Sequence, residues 1–422
     1  MKRRKYRSLP FESVDWARLA AAVRDQKLVF GIDVAKKTQF GCLTTARKDA
    51  VILIRWDLAT ETTQVLAQLS RLPASSLDLV LEPSGTYGDP IRQEAARQGL
   101  PIFRVSSKRT HDLSEYFDGV PSSHDGKSAA VIACLHWDGA GEPWPLAPES
   151  TRDVAARLTE LNYTVEALVR ARNRLEGRLA RHWPEVLGLL ELGGASLPRL
   201  LAQYGSPQAV AAGASEAKAF LRKVGGANLR QSKIDAVVST AGRTLGVPPS
   251  PLEAELLQHL ALEIVRLRSQ RKAQERQVRD LTAEDEVIQQ LAPVVGDVTA
   301  AVVFVRGGDP RSYPSASAYL KSLGLNLKER SSGKRQGQLA ITKRGPSVVR
   351  HWLYLAALRW IQDDAAASAW YRRKIERDGG KKLRALVALM RKLARAFWAL
   401  ATTGESFDSR KLFDVRRLGL AT

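Results

Sequence analysis

Two adjacent serines, Ser331 and Ser332, stand in the middle of a segment that is rich in cations and glycine. The segment covers 327–345 and reads LKERSSGKRQGQLAITKRG, with three lysines, three arginines and three glycines. A serine hydroxyl is a weak nucleophile that needs a base or a metal for its proton and cations on the group that it attacks. Glycine lets backbone approach a phosphate closely. The pattern is typical of a solvated turn, and it also fits a flexible loop that holds a scissile phosphate.

Carboxylates that follow apolar runs are the second set of candidates. Asp33 ends the run KLVFGID, and Glu82 follows LDLVL about fifty residues later. An ionised carboxylate at the end of a buried strand costs free energy unless it is paired or holds a cation. Two such acids at the ends of neighbouring strands could share Mg²⁺, which prefers carboxylate and water oxygens. Each acid could equally cap a turn.

The charge of the chain indicates its partners. The 422 residues include 65 Lys and Arg against 44 Asp and Glu, a formal net charge of +21. Such an excess predicts binding to nucleic acid or to an anionic membrane surface. Between Lys328 and Arg395 there are 18 basic residues and five acidic ones, and this clustering favours nucleic acid over a solvated helix face.

The sequence also indicates where the protein works. No apolar run reaches the roughly 18 residues that span a membrane. The two cysteines, Cys42 and Cys134, are not spaced as metal ligands or as a disulfide framework. We therefore expect a cytoplasmic protein, associated with the bacterial nucleoid, that has no membrane partner.

The hydrophobic pattern predicts an α/β part followed by an all-α part. The predicted domains are a basic N-terminal arm at 1–26, an α/β domain at 27–148, a helical and coiled-coil region at 149–285 with an inserted small helical segment at about 186–249, and a helical C-terminal domain at 286–422. Long amphipathic helices are predicted at 151–185 and 251–285. Helices of this kind form an antiparallel pair or a dimerising coiled coil.

Three blocks of the first part resemble, in order, the conserved acid blocks of the DEDD transposases of insertion sequences: VFGIDVAKK, LEPSGTYGDPIRQEAARQG and SSHDGKSAAVIACL. These transposases are relatives of the Piv invertases and are described as bridge-RNA-guided recombinases. The resemblance implies a RuvC-like domain with an RNase H-like fold, in which four acids bind Mg²⁺, with Mn²⁺ as a substitute. Matched block by block, Asp33, Glu82 and Asp125 take the places of the first three acids.

The fourth acid of the family lies one helical turn after the third, on the same helix face. This chain has Ser128 at that position. A neutral hydroxyl is a poorer metal ligand than a carboxylate, so Ser128 either weakens metal binding or is compensated by Asp118 or Asp112. Lys127 and His124 flank the block, and phosphate contact and a surface role are equally open for each.

The C-terminal part resembles the second conserved domain of the same family. A helix-hairpin-helix-like entry covers Pro293 to Gly296, and a Ser-Gly step follows within SASAYLKSLGLNLKERSSGKRQGQLAITKRGPSVVRHWLYLAA. In the family the serine before that glycine forms a covalent phosphoserine link to DNA. The match falls on Ser332, with Ser331 as the alternative. No base is visible in the loop, and the resemblance implies that the metal-holding acids of the first domain serve the serine.

The predicted nucleic-acid-binding residues are the cations of this segment and of the helix that follows it. They are Lys328, Arg330, Lys334, Arg335, Lys343, Arg344 and Arg350. Cations at these positions could clamp a phosphate by charge-assisted hydrogen bonds.

Together these features predict an insertion-sequence transposase that cuts and rejoins DNA through Ser332 with the help of Mg²⁺. Its partners would be DNA, an element-encoded non-coding guide RNA and further copies of the chain in a dimer or tetramer. One alternative is a RuvC-like structure-specific nuclease of the Holliday-junction type, in which Ser332 is structural. Another is a catalytically inactive nucleic-acid-binding relative, which would bind DNA without metal-dependent cleavage.

Overall fold

The computed structural model of the protein describes residues 6–83, 85–117, 119, 124–332 and 335–413, and the backbone alone at 330, 332, 335, 336 and 338. The chain divides into two compact units, Met1–Pro148 and Glu149–Thr422. The first unit is α/β, and the described part of the second is helical apart from one hairpin. Within the described residues, no helix is long and apolar enough to cross a membrane.

The first unit is built on one mixed sheet. Its strands in the described residues are β1 (Leu9–Pro10), β2 (Lys27–Asp33), β3 (Thr38–Thr45), β4 (Ala50–Asp57), β5 (Ser76–Leu81), β6 (Ile102–Arg104) and β7 (Glu142–Pro143). Their order across the sheet is β1-β4-β3-β2-β5-β6-β7. Strands β2, β3 and β4 pair antiparallel across short turns, whereas β5 and β6 run parallel to β2 and are reached through helices. Strand β2 therefore joins the antiparallel and the parallel halves of the sheet.

Helices cover the sheet and bury its two faces. They are α1 (Trp16–Ala22), α2 (Thr62–Ser70), α3 (Asp89–Arg97), α4 (Ser107–Tyr116) and α5 (Asp125–Trp137). Successive residues of β2 point to opposite faces. Accordingly, Val29 packs in the cluster that contains Val131 and Ile132 of α5, and Phe30 packs in the cluster that contains Trp56. This α/β architecture agrees with the hydrophobic pattern of the first part of the sequence.

Helix α5 packs directly on the backbone of β2 because β2 has a glycine at the crossing point. A Cβ atom on Gly31 would lie 2.3 Å from the carbonyl oxygen of Ala129 and 2.6 Å from the amide nitrogen of Ala133. Residue 31 must therefore be glycine for the helix to approach this closely. The contact fixes the first turn of α5 with respect to the carboxyl end of β2.

Seven helices form the first part of the second unit. They are α6 (Glu149–His182), α7 (Val186–Leu189), α8 (Ser196–Tyr204), α9 (Pro207–Ala212), α10 (Ala214–Gly225), α11 (Gln231–Gly242) and α12 (Pro251–Leu281). The two long helices that the sequence predicts are present as α6 and α12.

Helices α6 and α12 pack against each other along their lengths. Arg181 near the end of α6 lies 3.6 Å from Glu253 in the first turn of α12, so the two helices run antiparallel. Ser250 begins α12 with a capping box: its hydroxyl accepts from the Glu253 amide, and the Glu253 carboxylate accepts from the Ser250 amide. An antiparallel pair within one chain is thus the arrangement that these two helices adopt.

The second unit continues with six more helices and the hairpin in the described residues. They are α13 (Glu286–Val295), α14 (Asp297–Gly307), α15 (Ala316–Ser322), β8 (Leu327–Ser332), β9 (Arg335–Ile341), α16 (Ser347–Asp363), α17 (Ala365–Arg377) and α18 (Lys382–Thr403). Gly296, with φ of 84°, separates α13 from α14. The buried side chains of these helices form a single cluster around Leu353, Leu389 and Phe397.

The expectation of a flexible loop at 327–345 is wrong. Strands β8 and β9 form an antiparallel hairpin in which Leu327 pairs with Ile341 and Glu329 with Leu339. An isolated hairpin is only marginally stable in water, but Ile341 packs against the C-terminal core cluster. Because many residues of the segment are charged, its sequence does not show the alternation of apolar and polar residues that is typical of a strand. The contact that stabilises the hairpin is made with helices that are distant in sequence.

We expect the substitution Gly31→Ala to destabilise the first unit by several kcal/mol, on the order of 3 kcal/mol. The added methyl group would overlap the backbone of α5, which cannot move without repacking the sheet. Gly88→Ala is the matched control, because its Cβ atom would meet Leu81 only at 3.5 Å. Thermal unfolding of both variants measures the difference, and equal melting temperatures would contradict the proposed close packing.

Candidate active site

Asp33 and Glu82 emerge at the same edge of the sheet. Strands β2 and β5 run parallel, and Ile32 is paired with Leu81. Asp33 and Glu82 are the next residues on each strand, and both are half-buried. The register of the two strands therefore brings together two acids that are separated by about fifty residues in the sequence.

Asp125 and Ser128 lie on the first turn of α5. His124 caps this helix, with its Nδ1 atom accepting from the amide of Lys127 at 3.2 Å. A carboxylate in the first turn is stabilised by the helix dipole. Because Asp125 and Ser128 are three residues apart, they share one face of the helix.

The electrostatics of Asp33 connect these groups. The pKa of Asp33 is raised to about 6, chiefly by burial and then by the charges of Asp125 and Glu82, while a hydrogen bond from the Ser128 side chain acts in the opposite direction. Two of the acids that the sequence blocks predict thus act on the third. Ser128 reaches the same carboxylate as a neutral donor, at the position where the family pattern has a fourth acid.

Lys127 is a buried side chain that the sequence does not reveal as such. It is only 1% exposed and is among the largest fully buried side chains of the described chain. The surface role that was one of two expectations for Lys127 is therefore wrong. Buried lysines are rare and need compensation, and this one lies between Asp125 and Ser128 in the sequence. The sequence of α5 after Ser128 is almost entirely apolar, and this pattern could have indicated that Lys127 is buried with the rest of the helix.

The structure describes one of the two acids that could replace the fourth acid, Asp112, and not the other, Asp118. Asp112 lies on α4, where its carboxylate is exposed and accepts from the Lys108 ammonium at 2.8 Å. Asp112 is not among the groups that shift the pKa of Asp33. Asp118 lies outside the described residues.

The acid cluster contains the oxygen donors that a magnesium site needs, but its side chains are not arranged around a metal position. In the described part of the chain, no group of three or more His, Cys, Asp or Glu side chains is placed so that it could hold a metal ion. The carboxylates of Asp33, Glu82 and Asp125 are nevertheless close enough to raise a pKa. A hard divalent cation prefers such oxygen donors, and it would relieve their mutual repulsion. The residue types of this cluster therefore suit a divalent cation, whereas their arrangement in the described structure does not form a metal site.

The hairpin of the second unit places the two serines differently. Ser332 is the last residue of β8, and its backbone pairs with Arg335 across the turn. The Ser331 hydroxyl donates to the Glu329 carboxylate at 2.5 Å and accepts from the Gly337 amide at 3.4 Å. The expectation that this segment holds no base overlooked Glu329, which lies two residues from Ser331 on the same face of β8.

The predicted phosphate-binding cations also separate into groups. Lys328, Lys343 and Arg344 are exposed on the hairpin and the turn that follows it. Arg350 donates to the carbonyl oxygens of Leu323 (3.2 Å) and Gly345 (2.8 Å), and burial lowers its pKa. Arg350 thus holds the turn between β9 and α16 against the end of α15. Lys334 lies outside the described residues, and Arg330 and Arg335 are described by their backbone alone.

The sequence of the chain is similar to proteins of bacterial insertion elements. Residues 287–372 match the model of the Transposase IS116/IS110/IS902 family. An insertion element IS110 uncharacterized 43.6 kDa protein of Streptomyces coelicolor is 26% identical over 400 residues, which cover 92% of this chain and 96% of that protein. A transposase for insertion sequence element IS1328 of Yersinia enterocolitica is 29% identical over 140 residues, 32% of this chain and 41% of that protein.

Solved structures are also similar to part of the chain. Thermus thermophilus RuvC in complex with a Holliday junction substrate matches 28% of this chain and 99% of its own length. The sequence identity is 12% and the TM-score is 0.23.

The chain is similar to the transposases of insertion sequences, as its sequence motifs predict. The similarity to insertion-element proteins extends over nearly its whole length. Its C-terminal segment 287–372 is similar to the IS116/IS110/IS902 transposase family.

We expect Asp33→Asn to stabilise the metal-free protein at pH 7 by about 1–2 kcal/mol, allowing for solvent screening. Because Asp33 in the native state keeps its proton to about pH 6 and an ordinary aspartate loses it near 3.8, the native state binds more protons between these values. The free energy of unfolding of the wild type therefore falls as pH rises through this window and stays lower above it. Asparagine has no such loss and still accepts from Ser128.

Urea unfolding of wild type and variant with EDTA, from about pH 4 to pH 8, measures this difference. The two proteins should be similar near pH 4 and diverge above it. Asp112→Asn is the control of opposite sign, because the ion pair with Lys108 lowers the pKa of Asp112. A constant difference between wild type and Asp33→Asn at every pH would contradict the electrostatic coupling of the three acids.

Proposed function

We propose that this chain is an insertion-sequence transposase, a DNA recombinase with a RuvC-like first domain. In this proposal Asp33, Glu82 and Asp125 hold Mg²⁺ and Ser332 is the nucleophile. The observation that carries the proposal is the convergence of three acids at the ends of β2 and β5 and at the start of α5. Burial and the charges of Asp125 and Glu82 raise the pKa of Asp33 at this point. Carboxylates from three separate sequence blocks repel one another when they lie this close, and a bound cation would compensate that repulsion.

The proposed chemistry is a pair of transesterifications. The Ser332 oxygen attacks the phosphorus of a phosphodiester, the serine proton leaves, and one DNA oxygen is displaced as a free hydroxyl. The phosphoserine link keeps the energy of the broken bond, so a hydroxyl of another strand can attack it and release the serine. Cutting and rejoining are then balanced without an external energy source.

A cation at the acid cluster would supply charge neutralisation of the phosphate and a lower pKa for the attacking or leaving oxygen. Asp33 would be a ligand whose pKa falls when the cation binds, since the cation favours the ionised form. Ser128 orients the Asp33 carboxylate through its hydrogen bond. Mn²⁺ has similar ligand preferences and would substitute for Mg²⁺.

The cationic hairpin supports nucleic acid as the substrate class. Lys328, Lys343 and Arg344 are exposed, and the formal charge of the chain is +21. Phosphate contacts by such residues supply affinity and register, without reading sequence. Target choice would therefore come from another source, and the proposal assigns it to an element-encoded guide RNA that pairs with DNA. Exchange of two strands needs two nucleophiles, so the active form would be a dimer or a tetramer.

A metal-dependent nuclease of the Holliday-junction type is the second candidate. The observation that favours it is the location of all three acids within the first unit, because hydrolysis by a metal-bound water needs no serine. In that case Ser332 would only form the hairpin turn.

The substitution Ser332→Ala should abolish a covalent protein–DNA adduct. The alanine side chain has no oxygen to attack the phosphate, whereas the hairpin backbone is unchanged. The measurement is a denaturing gel of purified protein with the flanking non-coding RNA, Mg²⁺ and labelled target DNA.

Ser331→Ala is the matched control, because its hydroxyl is engaged with Glu329 and its loss leaves Ser332 intact. An adduct that persists in Ser332→Ala and disappears in Ser331→Ala would transfer the nucleophile to Ser331. DNA cleavage by the wild type without any adduct would favour the nuclease.

Ser128→Asp should increase the affinity of the first unit for Mg²⁺ by several-fold, because it adds a fourth carboxylate beside Asp33. The same charge should lower the melting temperature of the metal-free protein, since it increases the repulsion within the cluster. Isothermal titration calorimetry and melting curves with and without Mg²⁺ measure both effects. Ser128→Ala removes the same hydroxyl without adding charge, and equal Mg²⁺ affinity of the two variants would argue against a metal at this cluster.

A further inference from the structure

Helices α6, α8 and α12 of the second unit bring four arginines together. Arg172 lies on α6, Arg199 on α8, and Arg268 and Arg271 on α12. Burial lowers the pKa of Arg172, and the charges of Arg268 and Arg271 lower it further. Burial, Arg199 and Arg271 act in the same way on the pKa of Arg268. The four guanidinium groups thus repel one another across three helices.

The cluster is held on a rigid part of the fold. Arg172 follows the buried Ala171, and Arg268 follows the buried Leu267, so both stand at the edge of the helical core. Arg268 also donates to the carbonyl oxygens of Gly193 and Gly194, the latter at 2.6 Å, in the turn before α8. The Arg268 side chain is therefore positioned before any ligand binds, which reduces the entropy cost of binding.

No acid of the described chain compensates the two inner arginines. The Nε atom of Arg172 is buried and has no hydrogen-bond partner in the described structure. No carboxylate is among the groups that shift the pKa of Arg172 or Arg268. By contrast, Arg271 forms an ion pair with Glu275 at 2.8 Å. A buried donor without a partner and several unpaired like charges cost folding free energy, which an anionic ligand would offset.

We propose that this arginine cluster, Arg172, Arg199, Arg268 and Arg271, binds the phosphate groups of a nucleic acid. Guanidinium groups donate two parallel hydrogen bonds to phosphate and remain charged at all physiological pH values. An extended backbone fits better than a small phosphate compound, because cations continue beyond Arg268 on the same helix. Lys272 lies about one turn and Arg276 about two turns further along α12.

The site is a second nucleic-acid contact, distinct from the proposed catalytic residues. It would anchor DNA or RNA on the helical part of the second unit, whichever of the proposed activities the chain has. Its failure would leave the acid cluster and Ser332 untouched, and their failure would leave this binding unchanged.

The test is binding of the full chain to two labelled probes, a random-sequence duplex DNA and a stem-loop RNA, over a series of salt concentrations. The variant is Arg172→Gln/Arg268→Gln. We expect at least about tenfold weaker binding to one or both probes, and a salt dependence that is shallower by about 1–2 in log K against log salt. The probe that loses affinity identifies the ligand.

Arg222→Gln/Lys223→Gln is the matched control, since it removes two exposed charges from α10 and should change affinity less than about twofold. Arg199→Gln tests the site through an exposed residue in case the double variant unfolds, and it should weaken binding about two- to fivefold. Affinity and salt dependence equal to those of the control would overturn the proposal. So would an unchanged nucleic-acid affinity with a loss of binding to vesicles of anionic lipid.

Discussion

The contact between α5 and β2 at Gly31 is the constraint on which the candidate site depends. Without a side chain at residue 31, the helix backbone lies directly on the central strand. This contact sets Asp125 and Ser128 against Asp33, and the parallel pairing of β2 with β5 adds Glu82. Three acids are thereby held close by packing energy that greatly exceeds their repulsion.

Both units contain a region where like charges are concentrated. In the first unit the charges are carboxylates around Asp33, and in the second they are arginines around Arg172 and Arg268. Each region is less stable than a neutral or ion-paired surface would be, and the proposed ligands of opposite charge would offset this cost. A cluster of carboxylates and a separate cluster of arginines are expected of a protein that binds both divalent cations and polyanions.

The hairpin is the part of the chain for which the local sequence predicted the wrong structure. Glycines, serines and six cations in 327–345 are typical of a loop, yet β8 and β9 pair from Leu327 to Ile341. Strand pairing there depends on contact between Ile341 and helices from other parts of the second unit. The same tertiary contact brings Glu329 and Ser331 to one face, so a carboxylate that seemed an ordinary surface charge becomes the partner of a serine.

The sequence by itself determined the order of α/β and helical parts, the two long helices and the acids of the three blocks. These follow from hydrophobic periodicity and residue type, which are local properties. Only the tertiary structure decided that Lys127 is buried, that Arg350 holds a turn, and that four arginines from three helices face one another. Burial and charge proximity depend on which distant segments pack together, and no local pattern records that choice.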